Sequence, residues 1–261
     1  MKLSPQDIED LKYAQKVLEH PNLAAKLTDT LASPIEKGFA MLPHKWAEFV
    51  HAATRKSIEK GLKFAVMTMK SRNRSQPANI IHKAAVMTSG ATGGAFGLIA
   101  LPIELPISTV IMLRSISDIA RAEGEDLESP ETMLNCLQIF ALGGRSDKDN
   151  ATETGYYAVR AALSKAVSDA VQHIANRGLT EQGAPVLVRL ITTIASRFGV
   201  IVSEKVAAMA IPAIGAVGGA LINTIFMDHF QNIAQGHFTV RRLERKYGAH
   251  LIEQEYKKLS D

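Results

Sequence analysis

One cysteine, Cys136, is present in 261 residues, which excludes an intrachain disulfide and points to a reducing compartment. Its neighbours Leu134, Leu137 and Ile139 make it a buried, inert thiol rather than a nucleophile. Aromatic residues are scarce at 6% and are not interleaved with the basic runs, so nucleic acid is not an expected partner. The chain also lacks G-x-x-x-x-G-K-S/T, H-E-x-x-H, G-x-S-x-G and G-x-G-x-x-G. Phosphate loops, zincin sites, hydrolase elbows and dinucleotide folds thereby lose their usual signatures, and no cofactor or metal is implied. The start Met-Lys-Leu-Ser-Pro-Gln-Asp has no apolar core of a signal peptide. The expected location is the cytoplasm or the cytoplasmic face of a membrane.

Charge is missing from two long stretches, Ala84 to Ile103 and Val206 to Met227. Each is long enough to cross a bilayer or to form a fully buried helical hairpin. Each also carries a G-A-x-G-G-A tract, at Gly90 to Ala95 and at Gly215 to Ala220. Gly90 and Gly94, like Gly215 and Gly219, are four residues apart and share one side of a helix, where their size allows close backbone approach. The run from Gly90 to Arg121 and Gly124 parallels that from Gly215 to Arg245 and Gly248. A degenerate repeat and two unrelated close-packing helices both account for this match.

What is present is a moderately charged, helix-forming sequence. Hydrophobic residues make up 46% and charged residues 21%, and the mean hydropathy is +0.02. This composition lies between that of a soluble and a membrane-associated chain. A formal charge of +4 suits an anionic surface. Ser4-Pro5 with Asp7, Ser33-Pro34 with Glu36, and Ser129-Pro130 with Glu131 read as helix starts, each a capping serine, a first-turn proline and an early acid. Tyr156, Val159, Leu163, Val167, Val171 and Ile174 follow a 3.6-residue period, and no stretch alternates as a strand. The expectation is an all-α bundle with the two Gly-rich apolar hairpins at its centre. Residues 1–78 form an N-terminal helical arm and residues 79–261 the helical core.

Arg55, Lys56, Lys60, Lys63, Lys70, Arg72 and Arg74 are opposed in their window only by Glu59. On a helix Lys56, Lys60, Lys63, Lys70 and Arg74 share one face and Ile58, Leu62, Ala65 and Met69 another. Such a basic amphipathic helix fits an anionic membrane, with Trp46 as an interfacial anchor. The alternative is a core-packed helix with a solvated lysine face. The second basic cluster, Arg241, Arg242, Arg245 and Lys246, reads as salt-bridged helix surface.

Glu104 stands between Pro102 and Pro106 in an apolar run, so it should be exposed, protonated, paired or bound to a cation. Arg114 is its nearest basic residue in the sequence that follows, and Asp228 with His229 would complete a metal-binding or proton-moving site if the two tracts pack together.

Several separated motifs carry a resemblance. They are Ala91-Thr92-Gly93-Gly94-Ala95-Phe96-Gly97, Leu-Pro-Ile-Glu-Leu-Pro at 101–106, Arg114-Ser115-Ile116, Phe140-Ala141-Leu142-Gly143-Gly144 and Tyr156-Tyr157-Ala158-Val159-Arg160. Ile211 to Gly219 and His237-Phe238 running to Gly248 continue the series. Over roughly Ala84 to Tyr256 the chain resembles the EcsC protein family. The first-half segment Arg121-Ala122-Glu123-Gly124 departs from the pattern in lacking an aromatic before the glycine. The resemblance implies membrane proximity and a bacterial origin, and it supplies neither a cofactor nor catalytic residues. Glu104, Arg114, Arg160, Asn223 and His237 are its candidates for a shared polar cluster.

The reading that follows is a membrane-associated, non-catalytic accessory factor at the inner face of a bacterial membrane. Its partner would be an anionic lipid or a membrane protein. A hydrolase-like enzyme with a buried carboxylate and histidine site, and a soluble protein-interaction scaffold, are the alternatives.

Overall fold

Helices begin close to the Ser-Pro signals. A computed structural model of the chain describes residues 3–19, 23–69, 101–144, 155–177, 184–211 and 215–259. In α1 (Pro5–Glu19) the Ser4 hydroxyl accepts the Asp7 backbone N–H at 3.2 Å and donates to the Asp7 carboxylate, satisfying an otherwise orphan first-turn amide. The helix Pro130–Leu142 has Ser129 at its N-cap, though no side chain closes the cap. The short helix α3 (Ile35–Ala40) starts later than Ser33-Pro34 implied, with Pro34 as the capping residue. The remaining elements are α2 (Leu23–Leu31), α4 (Trp46–Met69), α5 (Leu101–Ala122), α7 (Gly155–Arg177), α8 (Pro185–Met209), α9 (Gly215–Tyr247) and α10 (Ala249–Lys258), with Pro130–Leu142 as α6. Every regular element among the described residues is a helix, and the fold is an all-α bundle.

The axis of the bundle is α9, whose 33 residues span about 50 Å. Helix α5 runs parallel to it: Asn223 bonds Glu104 near one end, Gln231 bonds Ser115 midway, and Arg242 bonds Glu123 near the other. Helix α8 runs the opposite way, and Phe198 meets Phe140 of α6 and Phe230 of α9 with ring centroids 4.9 and 5.5 Å apart. Tilted and edge-on contacts of this kind bury large apolar area in a specific geometry. Backbones approach where the sequence offers glycine. A Cβ at Gly38 would stand 1.9 Å from the carbonyl oxygen of Ala207, so α3 can seat on α8 only without a side chain there.

The stretch expected as an N-terminal arm contributes to the same core. Leu11, Ala14 and Leu18 of α1 are buried, and Gly236 of α9 lies against Val17 and Leu18. Ile58, Leu62 and Ala65 of α4 are buried too, in a helix packed on α5 and α8. The apolar face of the basic helix therefore faces protein, not lipid.

The tract at Gly215 to Ala220 opens α9, and Gly219 is buried. Gly90 and Gly94 lie outside the described residues, as do Lys70 and Arg74. Among the described residues, α8 is the helix long and apolar enough to cross a membrane by length and composition, with a mean hydropathy of 1.7 in its best window. It also carries Lys205, fully buried.

Candidate functional site

Two buried polar clusters form, where the sequence offered one. In the first, Lys205 of α8 places its ammonium 2.9 and 3.1 Å from the two carboxylate oxygens of Glu104. Asn223 of α9 donates to the same carboxylate at 3.2 Å, and the ammonium lies 4.8 Å from the Phe226 ring centroid. A charge this deep in apolar surroundings persists only when paired, and Lys205 supplies the cation expected of Arg114. Arg114 sits ten residues, about 15 Å, farther along α5 and on its exposed side. Asp228 and His229 do not join Glu104. They follow Asn223 by five and six residues, which turns them about 140° and 240° away from it around α9. Among the described residues, no group of three or more His, Cys, Asp or Glu could hold a metal ion.

His229 has a different task. Its Nε2 lies 3.0 Å from the Gly143 carbonyl oxygen at the end of α6, and Arg197 donates to the carbonyls of Ala141 at 3.0 Å and Gly144 at 2.7 Å. These bonds satisfy helix-end acceptors that would otherwise be buried and unpaired. Burial holds His229 down to about 4, so it is neutral and its Nε2 carries the donating proton. A Cβ at Gly144 would stand 2.5 Å from the Arg197 carbonyl oxygen, which explains the Gly-Gly of the Phe140 to Gly144 motif as a packing requirement.

The second cluster joins α7 to α9. Arg160 forms a two-pronged pair with Glu244, both contacts at 2.7 Å, and its Nη1 also donates to the Tyr156 hydroxyl at 3.4 Å. That hydroxyl stands 2.9 Å from Nδ1 of the fully buried His237. The phenol oxygen accepts from Arg160 and shares a second hydrogen bond with Nδ1, while Nε2 of His237 is buried without a hydrogen-bond partner. Burial, with the charges of Arg160 and Arg241, keeps His237 neutral by depressing its pKa well below the ordinary value. Burial likewise pushes Tyr156 up to about 12. At neutral pH the cluster holds one ion pair, Arg160 with Glu244, beside a neutral imidazole and a protonated phenol.

The basic residues at the end of α9 are engaged. Arg241 and Arg245 hold Glu125, Arg242 spans Glu123, Asp10 and Asp7, and Lys246 and Tyr247 hold Asp7. Hydrogen bonds from Lys246, Ser4 and Tyr247 keep the Asp7 carboxyl far below the usual carboxylate range.

A row of exposed cations runs along α4. Lys56, Lys60 and Lys63 all face solvent, and Phe49, seven residues before Lys56, is 55% exposed on the same side. Trp46 is only partly exposed because it packs on Phe39 of α3, with centroids 5.7 Å apart. Exposed Met41, Ile103, Ile107 and Leu221 belong to the same end of the bundle, where Leu101 and Met41 line one cavity and Asn223 meets Glu104.

The profile of the EcsC protein family matches residues 5–243, nearly the whole helical array just described. The chain belongs to the EcsC family. No curated protein and no solved structure matches the chain. The family match begins in α1, so the EcsC unit takes in the α1–α4 segment as well as the later helices. Sequence reasoning placed Glu104 and Asn223, and Arg160 and His237, in one EcsC polar cluster, and the fold divides them into two. It missed Lys205 and Glu244, the partners that neutralise each. Lys205 had a signal, for it is the last charge before the uncharged stretch and its helical neighbours Ile201, Val202 and Ala208 are apolar.

Proposed function

We propose that this EcsC protein is a non-catalytic accessory factor that docks on the anionic, cytoplasmic face of a bacterial membrane. The row Lys56, Lys60 and Lys63 on α4, headed by exposed Phe49, is the observation that supports the reading. Unlike the cations of α9, these three lysines have no carboxylate within ion-pair reach among the described residues, where Glu59 is taken by Arg55. Each exposed lysine near an anionic bilayer contributes about 1 kcal/mol, and a partly inserted aromatic adds burial. The mode differs from that of an amphipathic helix lying on lipid, because the apolar face of α4 is already spent on the core.

Cosedimentation with protein-free vesicles tests the proposal. Vesicles rich in phosphatidylglycerol should carry the protein down at low salt and release it at high salt, while neutral vesicles should not bind. The pair Lys60→Glu with Lys63→Glu should abolish binding. Capture by native membranes but not by protein-free anionic vesicles would assign the partner to a membrane protein, and no capture by either would favour a soluble scaffold.

A further inference from the structure

Beside the buried Glu104–Lys205 pair lies a cavity of about 200 Å³, bounded by Met41, Leu42, Pro43, Leu101, Val206 and Met209. All of these side chains are apolar. Backbone polar atoms share the lining and the space opens to solvent, so it is an apolar-walled slot rather than a sealed void, with more volume than the about 150 Å³ of a cavity that accepts benzene. Two of its walls are methionines, whose unbranched, polarizable chains adapt to an irregular guest. Its mouth is at the protein surface, since Met41 is 52% exposed and Pro43 is exposed. Lys37 and Lys45, both solvent-facing, flank that mouth in sequence, and α4 with its cation row starts directly after it. An apolar-walled slot bordered in sequence by exposed cations matches a guest with a hydrocarbon tail and an anionic head.

We infer that this cavity takes the end of one hydrocarbon chain of an anionic membrane lipid, so that docking on the bilayer is accompanied by capture of a single tail's end. The inference rests on the membrane reading above and adds the ligand class and its seat. Glu104 and Lys205 tie α5 to α8, the helices whose Leu101 and Val206 supply two of the cavity's walls.

Titration calorimetry of the full chain with 12-carbon lysophosphatidylglycerol, kept below its micelle concentration, tests the seat directly. Saturable one-to-one binding is expected, with none for glycerophosphoglycerol, which has the head and no chain. Ala210, at the cavity edge, should admit phenylalanine, and Ala210→Phe should weaken binding at least tenfold by filling the space. Met209→Glu, which puts a carboxylate in the wall, should do the same and serves where the first variant does not fold. Absence of saturable binding, or undiminished binding by either folded variant, overturns the inference. The Lys60→Glu, Lys63→Glu protein separates the two readings. Lost vesicle docking with lysolipid binding retained supports both, whereas vesicle docking by the parent without lysolipid binding removes the cavity proposal and leaves docking intact.

Discussion

The two ends of α9 handle charge in opposite ways. At the C-terminal end four cations meet Asp7, Asp10, Glu123 and Glu125, drawn from α1 and the segment after α5, in a half-exposed network. At the N-terminal end a single pair, Glu104 with Lys205, is sealed in apolar surroundings, and the neighbouring surface is left with Met41, Ile103, Ile107 and Leu221 exposed. The network ties its end of the bundle together by pairing its charges within the chain. The other end buries its ion pair and exposes apolar side chains beside the solvent-facing lysines of α3 and α4.

The largest effect should come from breaking the sealed pair on one side. Lys205→Met leaves Glu104 buried without its cation and should cost about 3–5 kcal/mol, while Lys205→Met with Glu104→Leu should recover most of that loss. Urea melts of the two variants decide it, and equal losses would mean the pair is not isolated in the way described. Next in size is the seat of α3. Gly38→Ala drives a methyl into the Ala207 carbonyl and should destabilise by about 1–3 kcal/mol, against the slight gain usual for Gly→Ala in a helix.

Acid should distinguish the ends. Asp7 and Glu125 have folded pKa values below their ordinary ones: Lys246, Ser4 and Tyr247 bond Asp7, and for Glu125 the bonds and charges of Arg241 and Arg245 outweigh a burial that acts the other way. Their stabilisation is present above the ordinary carboxylate range and is lost as pH falls through the depressed values. Glu204, beside Lys205, is raised by burial to about 7. Its folded form binds the proton more tightly, so stability should fall as pH rises from about 4.5 to 7. Glu204→Gln should abolish that slope, and Asp7→Asn should flatten the acid limb. Thermal melts from pH 3 to 8 check both signs. The smallest effect concerns Cys136, which burial pushes up to about 12. It should resist thiol reagents at pH 7 in the native state and react at once in denaturant.

Much of the fold was legible because it rests on local signals. Ser4-Pro5 and Ser129-Pro130 mark helix starts, and the period from Tyr156 to Ile174 marks the buried face of α7. The salt-bridged nature of Arg241 to Lys246 was legible too, since such clusters on helices seldom remain unpaired. Partners across helices were not. Nothing local ties Lys205 to Glu104 across 101 positions or Glu244 to Arg160 across 84, because those contacts are created only when α5, α8 and α9, or α7 and α9, pack together. The Gly-Gly at 143–144 was visible as a motif, but its reason, the approach of His229, Phe230 and Arg197, is tertiary.

Trp46 is the only tryptophan and stands at the first turn of α4, between the cavity mouth and the cation row. Its fluorescence therefore tests most directly whether this end meets the bilayer. With phosphatidylglycerol vesicles containing chain-brominated lipid, Trp46 emission should be quenched, and high salt should restore it as the protein is released. Vesicle binding with Trp46 emission unchanged would contradict the assignment of the docking end, and no binding at any salt would contradict docking altogether.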